Sequence, residues 1–353
     1  VAIGSSALGD FNVGTDTDMY NTAVGHAAGT AISTGTLNTL IGGLAGDALT
    51  DADHNVAVGT YALSTDTLGS KSTALGYDAL GAQNHTTASD TFSTAVGYKA
   101  GSEITTAGKN TLIGGQSGDA LTTGNSNVAV GYNTLGADTL GDRNVAIGTQ
   151  ALENQNFTTT TDSYNTAVGM HAGLAVTTGK YNTLVGGLAG DALTVGENNV
   201  ALGYLALSGD INGSSSVAIG VQALKVQEAT GTGSNNYYNT AVGGLSGLAV
   251  STGYYNTILG GKAGDTIASG TDNICIGYTS DCSHDGLNAI AIGTGVVAGD
   301  NNFSFGKTSN VVTNVFTTDA SWSQSSDERL KKNITNSTLG LSFINALRTV
   351  KYN

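Results

Sequence analysis

The chain has 353 residues, of which 52 are glycine and none is proline, and only 11% are charged. This composition is unlike that of an ordinary globular domain. The formal net charge is −14 and no basic run occurs, so we expect no nucleic-acid partner. No apolar stretch approaches the roughly 20 residues that a spanning helix needs, so we expect no membrane insertion.

One short phrase, of the form Asn-x-Ala-Val-Gly, repeats along most of the chain. Successive closing glycines are 17, 17, 17 and 21 residues apart, so four copies make a block of about 72 residues that occurs three times, with a fourth begun. Such a short unit cannot hold its own core, and we predict that each copy is one coil of a stacked solenoid. The closing glycines are Gly25, Gly42, Gly59, Gly76, Gly97, Gly114, Gly131, Gly148, Gly169, Gly186, Gly203, Gly220, Gly243, Gly260 and Gly277.

Side chains alternate within each phrase. Val56 and Val58 fall on one face, and Asn55 and Ala57 fall on the other, which predicts a strand closed by a glycine turn. A second strand is predicted seven residues after the glycine, as at Ile32. About seventeen coils stacked in parallel at roughly 4.8 Å would give a rod on the order of 80 Å long.

The predicted core is thin. A hexapeptide β-helix is disfavoured because its frame, counted from Val58, reaches Ser64 and Ser70. In a flatter roll, roughly four aliphatic side chains per coil contribute about 6–10 kcal/mol, against about 1–2 kcal/mol for ordering each residue. We therefore predict an obligate oligomer in which the Asn/Ala faces of different copies meet and the asparagines form stacked ladders.

The phrase resembles the head repeats of trimeric autotransporter adhesins of the YadA type. The likeness is close for Asn-Val-Ala-Ile-Gly at 144–148 and Ser-Val-Ala-Ile-Gly at 216–220, and it extends over residues 1–306. The resemblance implies an all-β, left-handed parallel β-roll that forms a homotrimer. General crossover rules favour the right hand, so the left hand and the number three come from the resemblance alone.

The repeat pattern stops after residue 306. Residues 307–325 read as a connecting segment with one predicted strand at 311–316. A charged stretch follows, and then a helix-like pattern of Leu341, Ile344 and Leu347, so residues 326–353 are predicted to contain a short α-helical segment.

This last segment resembles the start of the self-cleaving intramolecular chaperone at the C-terminus of phage endosialidase tailspikes and many phage tail fibres. The matching residues are Ser326, Asp327, Lys331, Asn333 and Ile334. The resemblance implies that Ser326 is the nucleophile for cleavage between Ser326 and Asp327, that Lys331 aids proton transfer, and that Asp327 becomes the new N-terminus. The alternative is a Ser-Asp cap at the start of a charged helix.

Aromatic residues end the long fourth coils, which contain the polar stretches 83–92, 153–164 and 226–238. One interpretation is contact with a host glycan or receptor. The other, favoured by the residues alone, is a surface bulge with the ring packed over the edge of the roll. The candidates, each directly before the first Asn of a block or, for Phe92, before the Ser in that position, are Tyr20, Phe92, Tyr164 and Tyr238.

Other polar residues predict no cofactor and no metal. The acidic residue in each Gly-Gly-x-x-Gly-Asp segment is interpreted as a turn former rather than a calcium ligand, because the copies are not in tandem. Cys275 and Cys282 are interpreted as small buried thiols, with a disulfide as the alternative. The acidic residues are Asp47, Asp119, Asp191 and Asp265.

These resemblances together imply an extracellular virion protein, namely the adhesive shaft of a trimeric phage tail fibre or tailspike. Expected partners are two further copies, other phage tail proteins, and a glycan or protein of the host cell surface. The only enzymatic activity expected is single-turnover autoproteolysis. A bacterial trimeric surface adhesin is the alternative, whereas an ice-binding solenoid is disfavoured because its flat threonine array is interrupted by valines.

Overall fold

The computed structural model describes residues 1–10, 18–228 and 235–318, and the backbone of 323–324. Every regular element in these ranges is a β-strand, and together they form a parallel β-solenoid of about 17 turns. The predicted all-β solenoid is therefore confirmed. The predicted helix in 326–353 lies outside the described residues.

Each coil contributes one short strand to a continuous sheet. In parallel order along the chain, the strands are Ala2–Ile3, Thr22–Val24, Thr39–Ile41, Val56–Val58, Thr73–Leu75, Thr94–Val96, Thr111–Ile113, Val128–Val130, Val145–Ile147, Thr166–Val168, Thr183–Val185, Val200–Leu202, Val217–Ile219, Thr240–Val242, Thr257–Leu259, Ile274–Ile276, Ile290–Thr294 and Asn302–Lys307.

The register is constant through both coil lengths. Ala57 pairs with Ala74 across a 17-residue step, and Ala74 pairs with Ala95 across a 21-residue step. The additional residues of the long coil are therefore accommodated without shifting the sheet. Because side chains in a strand alternate, this register puts equivalent residues of every coil into vertical columns.

Within the described ranges, a second strand forms in only a few coils. Four parallel pairs of two-residue strands are described there, namely Gly69–Ser70 with Ser89–Asp90, Gly141–Asp142 with Thr161–Asp162, Gly213–Ser214 with Asn235–Asn236, and Asp281–Cys282 with Val297–Ala298. The prediction of a second strand around Ile32 was wrong. That side of the coil is built from turns whose backbone groups bond to the neighbouring coil, as where Ala31 N donates to Asp47 O over 3.1 Å.

The turns place non-glycine residues in the left-handed region. Within one coil, Tyr61, Leu63 and Lys71 have φ values of 62°, 53° and 64°. Such residues cost of order 1 kcal/mol each and persist only where surrounding contacts fix them. The closing glycine between strand and turn has a larger positive φ, 140° at Gly59, a conformation that residues with a side chain rarely adopt.

The core lies inside the single chain and is lined by the Asn/Ala face. Asn55, Ala57 and Leu63 are fully buried, whereas Val56 is 37% exposed. The prediction that Asn/Ala faces meet between copies was therefore wrong. This inward column, at the position of Ala57, is mostly alanine, with a fully buried Leu or Ile in the second coil of each block, and the residues beside it in the strand point outward.

The asparagines form the predicted ladder, but within one chain. The backbone N–H of Asn55 donates to Asn38 Oδ1 over 2.9 Å, and Asn55 Nδ2 donates to Gly69 O over 2.9 Å on the opposite wall. Equivalent bonds link Asn127 to Asn110 and to Gly141. A buried backbone group without a partner costs about 1–3 kcal/mol, and this ladder supplies those partners coil by coil.

An antiparallel hairpin follows the last parallel strand. Asn302–Lys307 pairs with Asn310–Val315, which in turn pairs with Ser323–Gln324. The strand predicted at 311–316 is confirmed, one residue earlier than expected. This reversal ends the parallel stacking at that side of the sheet.

Candidate receptor-binding surface

The four predicted aromatic residues form a column along one edge of the solenoid, which we call the leading edge because it precedes the strands. All four occupy the left-handed turn position before a buried Asn or Ser, with φ of 48–50°, and they are 49–69% exposed. The next residue points into the interior, so the aromatic ring points outward. The predicted residues of this column are Tyr20, Phe92, Tyr164 and Tyr238.

The rings also pack along this edge. Tyr164 stacks on Tyr181 with ring centroids 6.1 Å apart, and Tyr238 lies 5.8 Å from Tyr255 one coil further on. The rings therefore pack over the edge of the roll, as the second interpretation predicts, and remain about half exposed; contact with a host glycan or receptor stays a prediction.

Cations from the preceding coil lie beside two of the rings. Lys71 Nζ is 5.3 Å from the Phe92 centroid and pairs with Asp90 at 2.5 Å. Arg143 Cζ is 5.6 Å from the Tyr164 centroid, and Arg143 also pairs with Asp162. In both places one cation holds an aromatic ring and an aspartate of the long coil, which fixes the end of that coil. Such exposed contacts contribute about 0.5–1 kcal/mol each.

A second aromatic column, which the sequence reasoning missed, follows the strands on the other side. Its rings are 46–60% exposed, and Tyr77 and Tyr98 stack with centroids 5.5 Å apart. The signal was present in the sequence, because each of these tyrosines comes directly after a closing glycine. The members are Tyr77, Tyr98, Tyr132, Tyr204 and Tyr278.

Between the two aromatic columns lies an outer stripe, defined as the residue directly before the last glycine of each phrase. Every strand of the continuous sheet has an apolar residue there, and Ile41, Leu75 and Ile113 are 39%, 44% and 39% exposed. The stripe contains Ile3, Val24, Ile41, Val58, Leu75, Val96, Ile113, Val130, Ile147, Val168, Val185, Leu202, Ile219, Val242, Leu259, Ile276, Ile292 and Phe305.

A buried network of polar side chains, Asp66, Gln83 and His85, lies in the interior of the third and fourth coils of the first block. Gln83 Nε2 donates to Asp66 Oδ2 over 2.6 Å, and the backbone N–H groups of Gly69 and His85 donate to Asp66 Oδ1. His85 Nδ1 lies 3.6 Å from Asp66 Oδ2. Burial favours the neutral carboxyl, but the contacts with His85 and Gln83 hold the pKa of Asp66 below its usual value.

The second block repeats this group with a different neighbour. Gln155 Nε2 donates to Asp138 Oδ2 over 2.6 Å, but Phe157 replaces the histidine. Here the effect of burial outweighs that of the hydrogen bonds to the carboxylate, and the pKa of Asp138 is raised. In both blocks the polar pair occupies the position seven residues after the glycine, where Ile or Leu fills the first and second coils.

The remaining predicted polar residues serve the fold. The four repeated aspartates lie in turns, as predicted, and burial raises the pKa of Asp47, Asp119 and Asp191. Within the described ranges, no group of three or more His, Cys, Asp or Glu residues could hold a metal ion. Cys275 and Cys282 are buried free thiols with their Sγ atoms 2.7 Å apart, as the first interpretation predicted.

The predicted self-cleavage residues, Ser326, Asp327 and Lys331, lie outside the described residues. In the part of the chain that the structure covers, no helix is long and apolar enough to cross a bilayer.

Comparison with protein-family models finds no match, and comparison with curated protein sequences finds none either.

Proposed function

We propose that this chain is the shaft of a homotrimeric phage tail fibre or tailspike that attaches the virion to the host cell surface. The observation that carries the proposal is the outer stripe, an apolar column in register along about 17 turns. At roughly 4.8 Å per coil the column is on the order of 80 Å long. Contiguous exposed apolar surface of this extent is typical of a surface that binds another protein chain.

The single chain encloses its own core. Copies of the chain therefore need not associate to complete a core. The outer stripe replaces the Asn/Ala face as the proposed contact between copies. Each copy presents the same column, and side-by-side association would bury it while leaving the turns accessible. The leading edge would then provide polar and aromatic contacts for a host glycan or protein.

The sequence motif at 326–334 favours a phage protein over the alternative, a bacterial trimeric surface adhesin. The YadA-like repeats alone fit both. The two proposals differ in one chemical product, because only the phage chaperone motif implies cleavage between Ser326 and Asp327.

The association is tested by sedimentation of the purified chain. We expect a mass of about three times 35.2 kDa. The double variant Ile113→Glu, Ile147→Glu places charges in the outer stripe and should yield monomers that retain the β-sheet circular dichroism spectrum. Val221→Glu, at a site 53% exposed outside the stripe, is the control and should remain trimeric. A wild-type chain that is monomeric at micromolar concentration would refute the proposed trimer.

The biological role is tested by two further measurements. Labelled chain should adsorb to some strains of a bacterial panel, and a variant with serine at all four predicted aromatic positions should adsorb less while its trimer mass is unchanged. Mass spectrometry of the full-length product should find a C-terminus at Ser326. An intact junction in the mature trimer favours the adhesin.

A further inference from the structure

We propose that a cleft beside the first long coil binds an acidic saccharide. The inference rests on the proposed adhesive function and deepens it, because it assigns a place and a chemical class of ligand. The cleft has a volume of about 420 Å³ and is open to solvent. This volume falls within the range of small-molecule binding sites, about 300–1,000 Å³.

Four successive coils build the cleft. The long coil contributes His85, Ser89, Asp90 and Thr91, and the following coils contribute the segments around Thr106–Lys109, Asn125–Ser126 and Asp142–Arg143. The lining is mostly polar, and hydroxyl groups come from several sides. Such groups can exchange hydrogen bonds with sugar hydroxyls.

Two cations, Lys109 and Arg143, line the cleft and are the groups that would bind an anion. Of the two lining carboxylates, Asp90 is paired with Lys71 at 2.5 Å, whereas Asp142 accepts the N–H of Asn125 over 2.6 Å and keeps its negative charge. Lys109 is exposed, and among the described residues it has no ion-pair partner. Arg143 pairs with Asp162, but a guanidinium has five N–H donors, so one carboxylate leaves donors available.

An aromatic surface lies next to this charge. Phe92 directly follows the lining residue Thr91, is 55% exposed, and occupies the leading-edge position between Lys71 and Lys109. Its exposed ring can pack against the C–H face of a sugar while Lys109 and Arg143 bind the acidic group. A neutral sugar would leave these two cations unused.

The surroundings of the second long coil provide an internal comparison. Residues 72 positions further on replace Lys109 by Tyr181 and Arg143 by Ser215. There Lys180 pairs with Glu197 at 3.4 Å, so the local cation is neutralised. The backbone repeats, but the pair of cations does not, and the inference therefore concerns only the first long coil.

Binding is tested by ligand-observed NMR titration of the purified full chain. The probes are methyl β-D-glucuronide, glucose 6-sulfate and the neutral methyl β-D-glucoside. We expect at least one acidic probe to bind tenfold or more tightly than the glucoside, and its binding to weaken as salt rises. The carboxylate and sulfate probes distinguish the two kinds of acid. Equal binding of all three, or binding of none, overturns the proposal.

Two substitutions locate the site. Lys109→Gln should weaken binding of the acidic probe at least tenfold, whereas Lys262→Gln, which removes an exposed lysine far along the chain, should leave it unchanged. Unchanged binding in Lys109→Gln with an unchanged melting temperature overturns the proposal. Arg143→Gln should give a similar loss, and its melting temperature reports any effect of losing the pair with Asp162.

The same proteins separate this inference from the proposed function. If the wild type and Lys109→Gln adsorb equally to a bacterial strain and no acidic probe binds, the cleft proposal fails and the adhesive function stands. If an acidic probe binds through Lys109 but no strain of the panel is bound, the cleft proposal stands and the adhesive function fails.

Discussion

The first and second blocks place a carboxylate at the same point of the interior but treat it differently. Asp66 and Asp138 each accept a 2.6 Å hydrogen bond from a glutamine of the next coil. His85 lies beside Asp66, and the pKa of Asp66 is lowered. Phe157 lies at the equivalent place beside Asp138, and burial raises the pKa of Asp138. The backbone geometry is the same in both blocks, and the pKa of the carboxyl is lowered where a histidine is its neighbour and raised where a phenylalanine is.

The largest loss of stability is expected from substituting a closing glycine, which both blocks have at the same position. Gly42 and Gly114 are equivalent closing glycines with φ of 141° and 138°, and a Cβ at either would collide with the backbone carbonyl of the next coil. We expect Gly42→Ala and Gly114→Ala each to destabilise the fold by more than about 3 kcal/mol, seen as a large fall in melting temperature.

Gly244→Ala is the matched control, because a Cβ there meets nothing within 4 Å and its φ is not positive. Its melting temperature should stay close to that of the wild type. Equal melting temperatures for Gly114→Ala and Gly244→Ala would contradict the assigned role of the closing glycines.

The next effect separates the two carboxylates. Asp66→Asn removes the charged partner of His85, and at pH 6 we expect a loss of about 1–3 kcal/mol. Asp138→Asn removes a charge that burial already disfavours, so its loss should be smaller. Urea unfolding at pH 6 measures both variants. Equal losses would show that His85 does not distinguish the two sites.

A pH profile sharpens the same comparison. The contact with Asp66 raises the pKa of His85 above 6.5, so its stabilisation is complete below pH 6.5 and is lost as pH rises through the raised value. The lowered pKa of Asp66 makes its contribution complete above pH 3.8 and lost as pH falls through the lowered value. The advantage of wild type over His85→Phe should therefore be greatest between about pH 4 and 6.5.

The reciprocal variant, Phe157→His, provides the control for this profile. It should give the second block a similar window, and melting temperatures from pH 3 to 9 measure both. A difference between wild type and His85→Phe that does not vary with pH would rule out the ionic contribution.

The smallest effect is expected in the fourth block, where Cys275 takes the place that Ala57 and Ala129 have in the first two. Contact with Cys282, together with burial, raises the pKa of Cys275, so no reactive thiolate is expected at pH 8. Ellman's reagent should label both thiols only after unfolding, and Cys275→Ala should change the melting temperature little. Rapid labelling of the folded chain would contradict this, and a loss of two mass units would identify a disulfide.

Much of the fold could be predicted from the sequence because the period and the alternation are local properties. The strands around Val56, the parallel stacking and the asparagine ladder follow from them. Which face is buried does not follow, because alternation distinguishes two faces without telling which is inside. Hydrophobicity favoured Val56, but the interior takes Ala57 and the hydrogen bonds of Asn55.

The candidate sites divide in the same way. The leading-edge aromatics were found because their position before the first Asn or Ser of a block is a sequence feature, and the second aromatic column could have been found from its position directly after the closing glycines. The buried pairs had a weaker signal, namely Asp66 and Gln83 at positions that hold Ile32 and Leu49 in earlier coils. The cleft could not be predicted, because it combines residues of four coils that only the register brings together.

The constant pairing across short and long coils has an evolutionary consequence. Ala74 pairs with Ala95 as regularly as Ala57 pairs with Ala74, so removing or duplicating one 72-residue unit would rejoin matching ends. Unequal recombination within the gene could thus shorten or lengthen the molecule in increments of roughly 19 Å, four coils at about 4.8 Å each. Every increment would return the exposed rings to the same side, so reach could evolve independently of what is recognised.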